Sequence, residues 1–170
     1  MRRKLAPLAL CAFVVVLTGQ REGRAHHLDS TTWAMTGTAR LKIGKQRSAP
    51  EASQFALTVD ATSHVVLTSS DVTFGGTYVD RGKRGFRVEP DEAAIDAVTE
   101  FLTNELAQTT GATGIVVEKT TIKVGGAVSR DGLTLSARTK ASIKGTATIG
   151  DRPVRGKVVV TGVYTGTKTG

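Results

Sequence analysis

Three histidines, one cysteine and a scatter of carboxylates are the groups in this chain with the means to do chemistry. His26 and His27 stand together, and His64 is far from them in sequence. Serines are numerous, but no GxSxG elbow holds one at a strand-to-helix turn, and no histidine has an evident triad context. Carboxylates are mostly isolated in turns or on one amphipathic segment; Asp80 and Asp131 form a pair whose separation in space the sequence does not give. The glycine-rich runs "GGTYVDRGKRG" and "GGAVSRDG" have strand-like flanks on both sides and no helix start to receive a phosphate. The residue types therefore argue against an enzyme, and no catalytic residue, resident metal or cofactor is assigned.

One metal arrangement needs a processed chain. "MRRK" is a basic lead, and Leu5 to Leu17 is an apolar run, too short to span a bilayer, which takes ~20 apolar residues. The pair reads as a secretory signal over residues 1–25, cut after the small-x-small site Gly23-Arg24-Ala25. Cleavage there exposes the α-amine of His26 beside its own imidazole, with His27 next. Such a set of nitrogen ligands suits Cu(II). In that feature alone the terminus resembles the histidine brace of copper-dependent oxidative polysaccharide enzymes, and the rest of the chain does not; the favoured reading is a histidine pair in a tail.

Export sets the other bounds. Cys11 lies inside the signal's apolar run, so the mature chain has no cysteine and must be held by its core rather than by disulfides. Residues 1–25 carry five Lys/Arg and one Glu, so their removal lowers the formal charge from +8 to +4. That is an ordinary solubility charge, and nucleic acid is not an expected partner. The expected location is secreted or periplasmic, with no transmembrane span after processing. The domain plan is a signal at 1–25, a flexible segment at 26–32 and one domain at 33–170.

That domain is read from alternation. In "LTLSARTKASIKGTATIG", Leu133 to Gly150, every second residue is small or apolar, and the residues between them are polar or basic. "WAMTGTARLKIG", "QFALTVD" and "DVTFGGTYVD" alternate too, as strands with one buried face do. About eight strands are expected, near 33–43, 54–60, 64–70, 72–79, 84–89, 115–124, 132–149 and 154–165. A straight strand of seventeen residues would run ~56 Å, so the long ones must coil, with Gly145 the place for a bend. "PDEAAIDAVTEFLTNELAQTTG" breaks the rhythm. Ile95, Val98, Phe101, Leu102 and Leu106 fall at helical spacing, Asp91 caps the start and Gly111 stops the end. The expected fold is all-β with one amphipathic helix, as an antiparallel closed or nearly closed barrel with helix 91–108 capping or plugging it.

Two functions from different classes fit this plan. The leading one is a non-enzymatic binding protein holding a small apolar or amphipathic ligand inside the barrel, lined by Phe74, Tyr78, Phe86, Ala137 and Ala141. The small inward residues leave two outcomes, a filled interior or a cavity, of which the filled one is commoner. The alternative is a cell-envelope structural or adhesion module that meets acidic polymer or lipid headgroups through basic residues. Its candidates are Arg81, Lys83, Arg84 and Arg87, with Arg40, Lys42, Arg138, Lys140 and Lys144 on the outer face. The barrel-plus-helix plan resembles small lipid-carrying barrels in architecture. The GxW opening of lipocalins is absent, since Trp33 follows two threonines, and architecture alone does not carry function.

Overall fold

A computed structural model describes residues 28–69 and 73–170. The signal segment read at 1–25, Cys11 and the His26–His27 pair lie outside the described residues. The strands are β1 (Thr31–Ile43), β2 (Gln46–Arg47), β3 (Glu51–Val59), β4 (His64–Thr68), β5 (Thr73–Asp80) and β6 (Gly85–Pro90). After helix α1 (Glu92–Thr110) come β7 (Thr113–Val128), β8 (Thr134–Ile149) and β9 (Arg152–Lys168). All neighbours pair antiparallel in the order β1-β3-β4-β5-β6-β7-β8-β9, and β9 pairs back on β1 from Trp33↔Lys168 to Ile43↔Val158. Eight strands thus close a barrel, and β2 is a short ribbon folded onto the end of β1. Closure along that seam leaves neither β1 nor β9 as an open edge.

The alternation read from the sequence is the inward–outward alternation of the wall. Trp33, Met35, Phe55, Leu57, Val65, Phe74, Tyr78, Phe86, Leu135 and Tyr164 share one buried cluster. Glycine opposite aromatics makes the fit. A Cβ on Gly162 would meet the Tyr164 ring at 2.3 Å, and one on Gly126 would meet Phe86 at 2.9 Å. At these two glycines the missing side chain leaves room for a ring. Phe55 meets Tyr164 edge-on at 4.7 Å, and Tyr78 stacks on Phe86 at 6.0 Å. Inside this cluster the Trp33 indole N–H donates to Thr31 Oγ1 at 3.0 Å, so its polar atom is satisfied.

The two mouths are closed differently. At one, the turn before β1 drops Leu28 fully into the core, and the Thr31 hydroxyl donates to the Leu28 carbonyl. The described part of the segment read as flexible at 26–32 is this turn and the first residues of β1. At the other mouth lies α1. Asp91 caps it by accepting from Ala94 N at 2.7 Å, and Gly111 ends it in the left-handed region at φ 69°. Its buried stripe is Ala94, Val98 and Leu102, with Leu106 packed partly against the core. Ile95, expected on that stripe, is instead 37% exposed, as is Phe101 at 36%. The stripe follows a strict four-residue step that starts from the small Ala94, which lets the helix start sit close against β5. There the Asp91 amide donates to the Gly75 carbonyl at 3.2 Å.

The wall is uneven in height. β6 pairs β7 only from Gly85↔Ala127 to Val88↔Val124, while β7 and β8 stay paired out to Thr113↔Thr148. Strands β7, β8 and β9 therefore extend past the barrel as a ribbon, and α1 packs on β5 and across these three. The β7–β8 ladder shifts register twice, between Thr113 and Val116 and between Val117 and Lys119. Gly145 stands opposite Val117, where a Cβ would fall 2.0 Å from the Val116 carbonyl oxygen. The irregularity of the long strands is thus two one-residue bulges in β7, with the missing side chain of Gly145 lying between them in β8.

Candidate functional site

The unequal strand lengths leave an apolar groove at the helix-covered mouth. It has a volume of about 550 Å³ and lies between the last turns of α1, the β1–β2 turn and the inner face of the ribbon. Leu106, Ile115, Val117, Ile143, Ala147 and Val158 line it. Each arrives by simple geometry. Leu106 continues the buried stripe of α1, and Ile143 and Ala147 continue the inward column of β8. Val154 and Ile149 stand at the rim, 41% and 36% exposed. Lys45, Arg155 and Lys157 border the same groove, and Arg155 is held by Glu118 at 2.7 Å.

The ligand-lining candidates read from the sequence lie elsewhere. Phe74, Tyr78, Phe86 and Ala137 are members of the barrel core, and Ala141 is packed partly against it. None of the five lines the mouth groove. They form the body of the barrel, which holds the groove's walls in place. Burial first, then the negative charges of Asp80 and Asp29, pushes the Tyr78 phenol up to about 12.

A second groove, also of about 550 Å³, lies on the outer wall where β6 leaves β7. Arg81, Arg87, Lys123, Arg138 and Lys140 line it together with Glu89. The structure thus divides the basic candidates. Arg81 and Arg87 join the groove, while Lys83 and Arg84 sit exposed in the β5–β6 turn, both at positive φ. Arg87 is ion-paired to Glu89, two residues along the same face. Lys123 was not singled out in the sequence. Its outward place follows from the alternation of "TIKVGG", but its position opposite Lys140 depends on a cross-strand register that only the fold supplies.

The polar groups that might have done chemistry are engaged in turns. Asp60 accepts from Thr62 N and Oγ1, each at 2.7 Å, and from His64 N at 2.9 Å. Burial works to raise its pKa, but these hydrogen bonds and the nearby His64 outweigh it and hold the carboxyl below its usual range. Asp131 accepts from the Ser129 hydroxyl and from Leu133 N, which lower its pKa too, and Asp80 accepts from Gly82 N at 2.6 Å. His64 is exposed at the start of β4. Among the described residues, no group of three His, Cys, Asp or Glu is placed to hold a metal ion. No described helix is long and apolar enough to cross a membrane. The chain matches no protein-family model, and no curated protein matches it by sequence.

Proposed function

We propose that this protein is an exported, non-enzymatic binding barrel that takes a small apolar or amphipathic molecule in the groove at its helix-covered mouth. The observation that carries the reading is the groove itself, about 550 Å³ and walled by aliphatic side chains from five elements, β1, α1, β7, β8 and β9. Sites for small molecules are concave and mostly apolar, and run to roughly 300–1,000 Å³. Phe74, Tyr78, Phe86 and Ala137 belong to the buried core cluster, and the concave apolar surface that supports the reading lies at the mouth. A tail buried against Ile143 and Val158 would gain most of its affinity from desolvation, at ~25 cal/mol per Å².

The test uses the processed chain with oleate as probe and a displaceable fluorescent amphiphile as reporter. Saturable binding that persists at high salt is expected, since apolar burial is not weakened by screening. Val154→Trp, filling the groove from its exposed rim, should weaken binding about tenfold or more with the melting temperature unchanged. Unaltered binding in that variant refutes the site. Export is checked separately by mass spectrometry of protein from its native host, where loss of the first 25 residues is expected and an intact Met1 species in the membrane refutes it.

A further inference from the structure

The outer basic groove is independent of the mouth, and its construction points to a ligand of a different kind. β6 stops pairing at Val88↔Val124, and Pro90, which has no N–H, leads the chain off into α1. The wall therefore opens between Glu89–Pro90 and Ile122–Lys123. Along the row Arg87↔Gly125↔Arg138, the middle position has no side chain, so two guanidinium arms flank a bare strip of backbone. The next row is Lys123↔Lys140↔Thr161↔Arg40, all on the same outward face. Two rows further on, Lys119, Lys144 and Lys157 stand opposite one another on three adjacent strands.

Like charges placed directly opposite on neighbouring strands, ~4.8 Å apart, destabilise a sheet. Here the arrangement occurs at Lys123–Lys140 and again at Lys119–Lys144–Lys157. Glu89 and Glu118 on this wall are already engaged, Glu89 with Arg87 and Glu118 with Arg155. The face thus keeps a cost in the isolated protein that a repeating anion would remove.

We propose that this groove and the lysine rows beyond it bind a strand of acidic polysaccharide, one carrying carboxylate or sulfate groups at regular intervals. A linear polymer fits because the cations form a track that begins in a concave cleft and runs on along the wall. A bilayer surface fits less well, because a flat array of headgroups does not enter a cleft. Of the large exposed apolar side chains that could insert into lipid, Ile95, Phe101, Val116, Ile149 and Val154 lie on the helix or at the mouth and Leu133 in the β7–β8 turn, which leaves on this wall a lone Val163 opposite Arg138.

The experiment measures binding of size-defined heparin and galacturonate oligosaccharides to the processed protein by calorimetry over a salt series. Arg138→Gln/Lys140→Gln should weaken binding about tenfold or more and flatten its salt dependence. Lys45→Gln/Arg47→Gln, which removes the same charge at the β1–β2 turn, should change it by less than about twofold. Val154→Trp should bind the oligosaccharides as the parent does, which separates this site from the mouth. A second readout needs no ligand: Lys140→Gln alone should raise the melting temperature in low salt, because Lys123 then loses its opposing charge. Equal losses from the two double variants would overturn the proposal, as net charge would then explain the binding. So would retention by anionic vesicles with none by oligosaccharides, or equal affinity for single-stranded DNA of matched charge.

Discussion

Leu102→Ala tests the claim on which the mouth depends, that α1 is pinned to the barrel by one buried stripe. Leu102 is 0% exposed and lies between Val98 and Leu106 on that stripe. Truncation to alanine removes about three carbons, worth ~0.8 kcal/mol each in transfer alone, or ~2.4 kcal/mol. The cavity left behind adds to this, and a total of ~3–4 kcal/mol is expected, within the ~2–5 kcal/mol span of such substitutions. For a domain of this size that is a fall of about 10 °C in melting temperature. Ile95→Ala, two turns earlier and 37% exposed, should cost less than about 1 kcal/mol. Urea unfolding of both variants, with m-values compared to the parent, measures the contrast. A Leu102→Ala loss below ~0.5 kcal/mol, or an Ile95→Ala loss as large as that of Leu102→Ala, would mean that the helix does not dock through this face.

Gly145→Ala should destabilise by ~1–3 kcal/mol, because its Cβ would meet backbone that cannot swing away, whereas Gly156→Ala, its cross-strand partner with open space around it, should be close to neutral; thermal melts of the pair decide it. For Tyr78, whose folded pKa is raised, the stabilising neutral phenol is fully present below the unfolded value of ~10 and is lost as pH climbs toward the folded value. Stability should therefore fall in that alkaline window, and phenolate absorbance in a Tyr164→Phe background should show a late-titrating tyrosine; titration at the ordinary value would refute the burial argument. For Asp60 the sign is reversed, since its lowered pKa gives stability above the unfolded value of ~3.9 that is lost on acidification. Protection of the Thr62 and His64 amides, taken relative to the intrinsic exchange rate at each pH, should fall below that pH in the parent, and Asp60→Asn should remove this acid-dependent step; an unchanged protection profile in the variant would contradict the turn's dependence on the carboxylate.

The barrel was legible because its signal is local. Alternation in each strand depends on which face is wet, and the turns between strands carry their own residues, such as Asp60 and Gly150. Helix termini were equally readable, Asp91 by its cap and Gly111 by its left-handed stop. What periodicity does not contain is register. Ile95 and Ala94 both fit an amphipathic helix, and the choice between them is made by the approach of the helix start to Gly75 on β5. The grooves escaped for the same reason. Phe74, Tyr78 and Phe86 are inward as read and belong to the buried core cluster, where glycines at 126 and 162 leave room for the Phe86 and Tyr164 rings. The mouth groove had a faint trace in the sequence. The strands at 132–149 and 154–165 are far longer than those at 64–70 and 84–89, and a barrel of unequal staves must leave one end of its inner face uncovered.

The seam between the first and last strands also orders events in time. In the barrel wall β1 is flanked by β3 and β9, and β9 is the last of these strands in chain order. Until it arrives, β1 keeps one open edge and β8 another, each a template for a strand from a different chain. The Thr32 amide waits for the Gly170 carbonyl, and the Thr169 amide for that of Thr32. The seam joins residues more than a hundred positions apart, so its closure carries a high loop-closure cost and is slow by the standard of local contacts. A chain cut short within β9 would leave two edges able to pair with those of its neighbours, so loss of this one strand should give a fibrous or aggregated product rather than a loosened monomer.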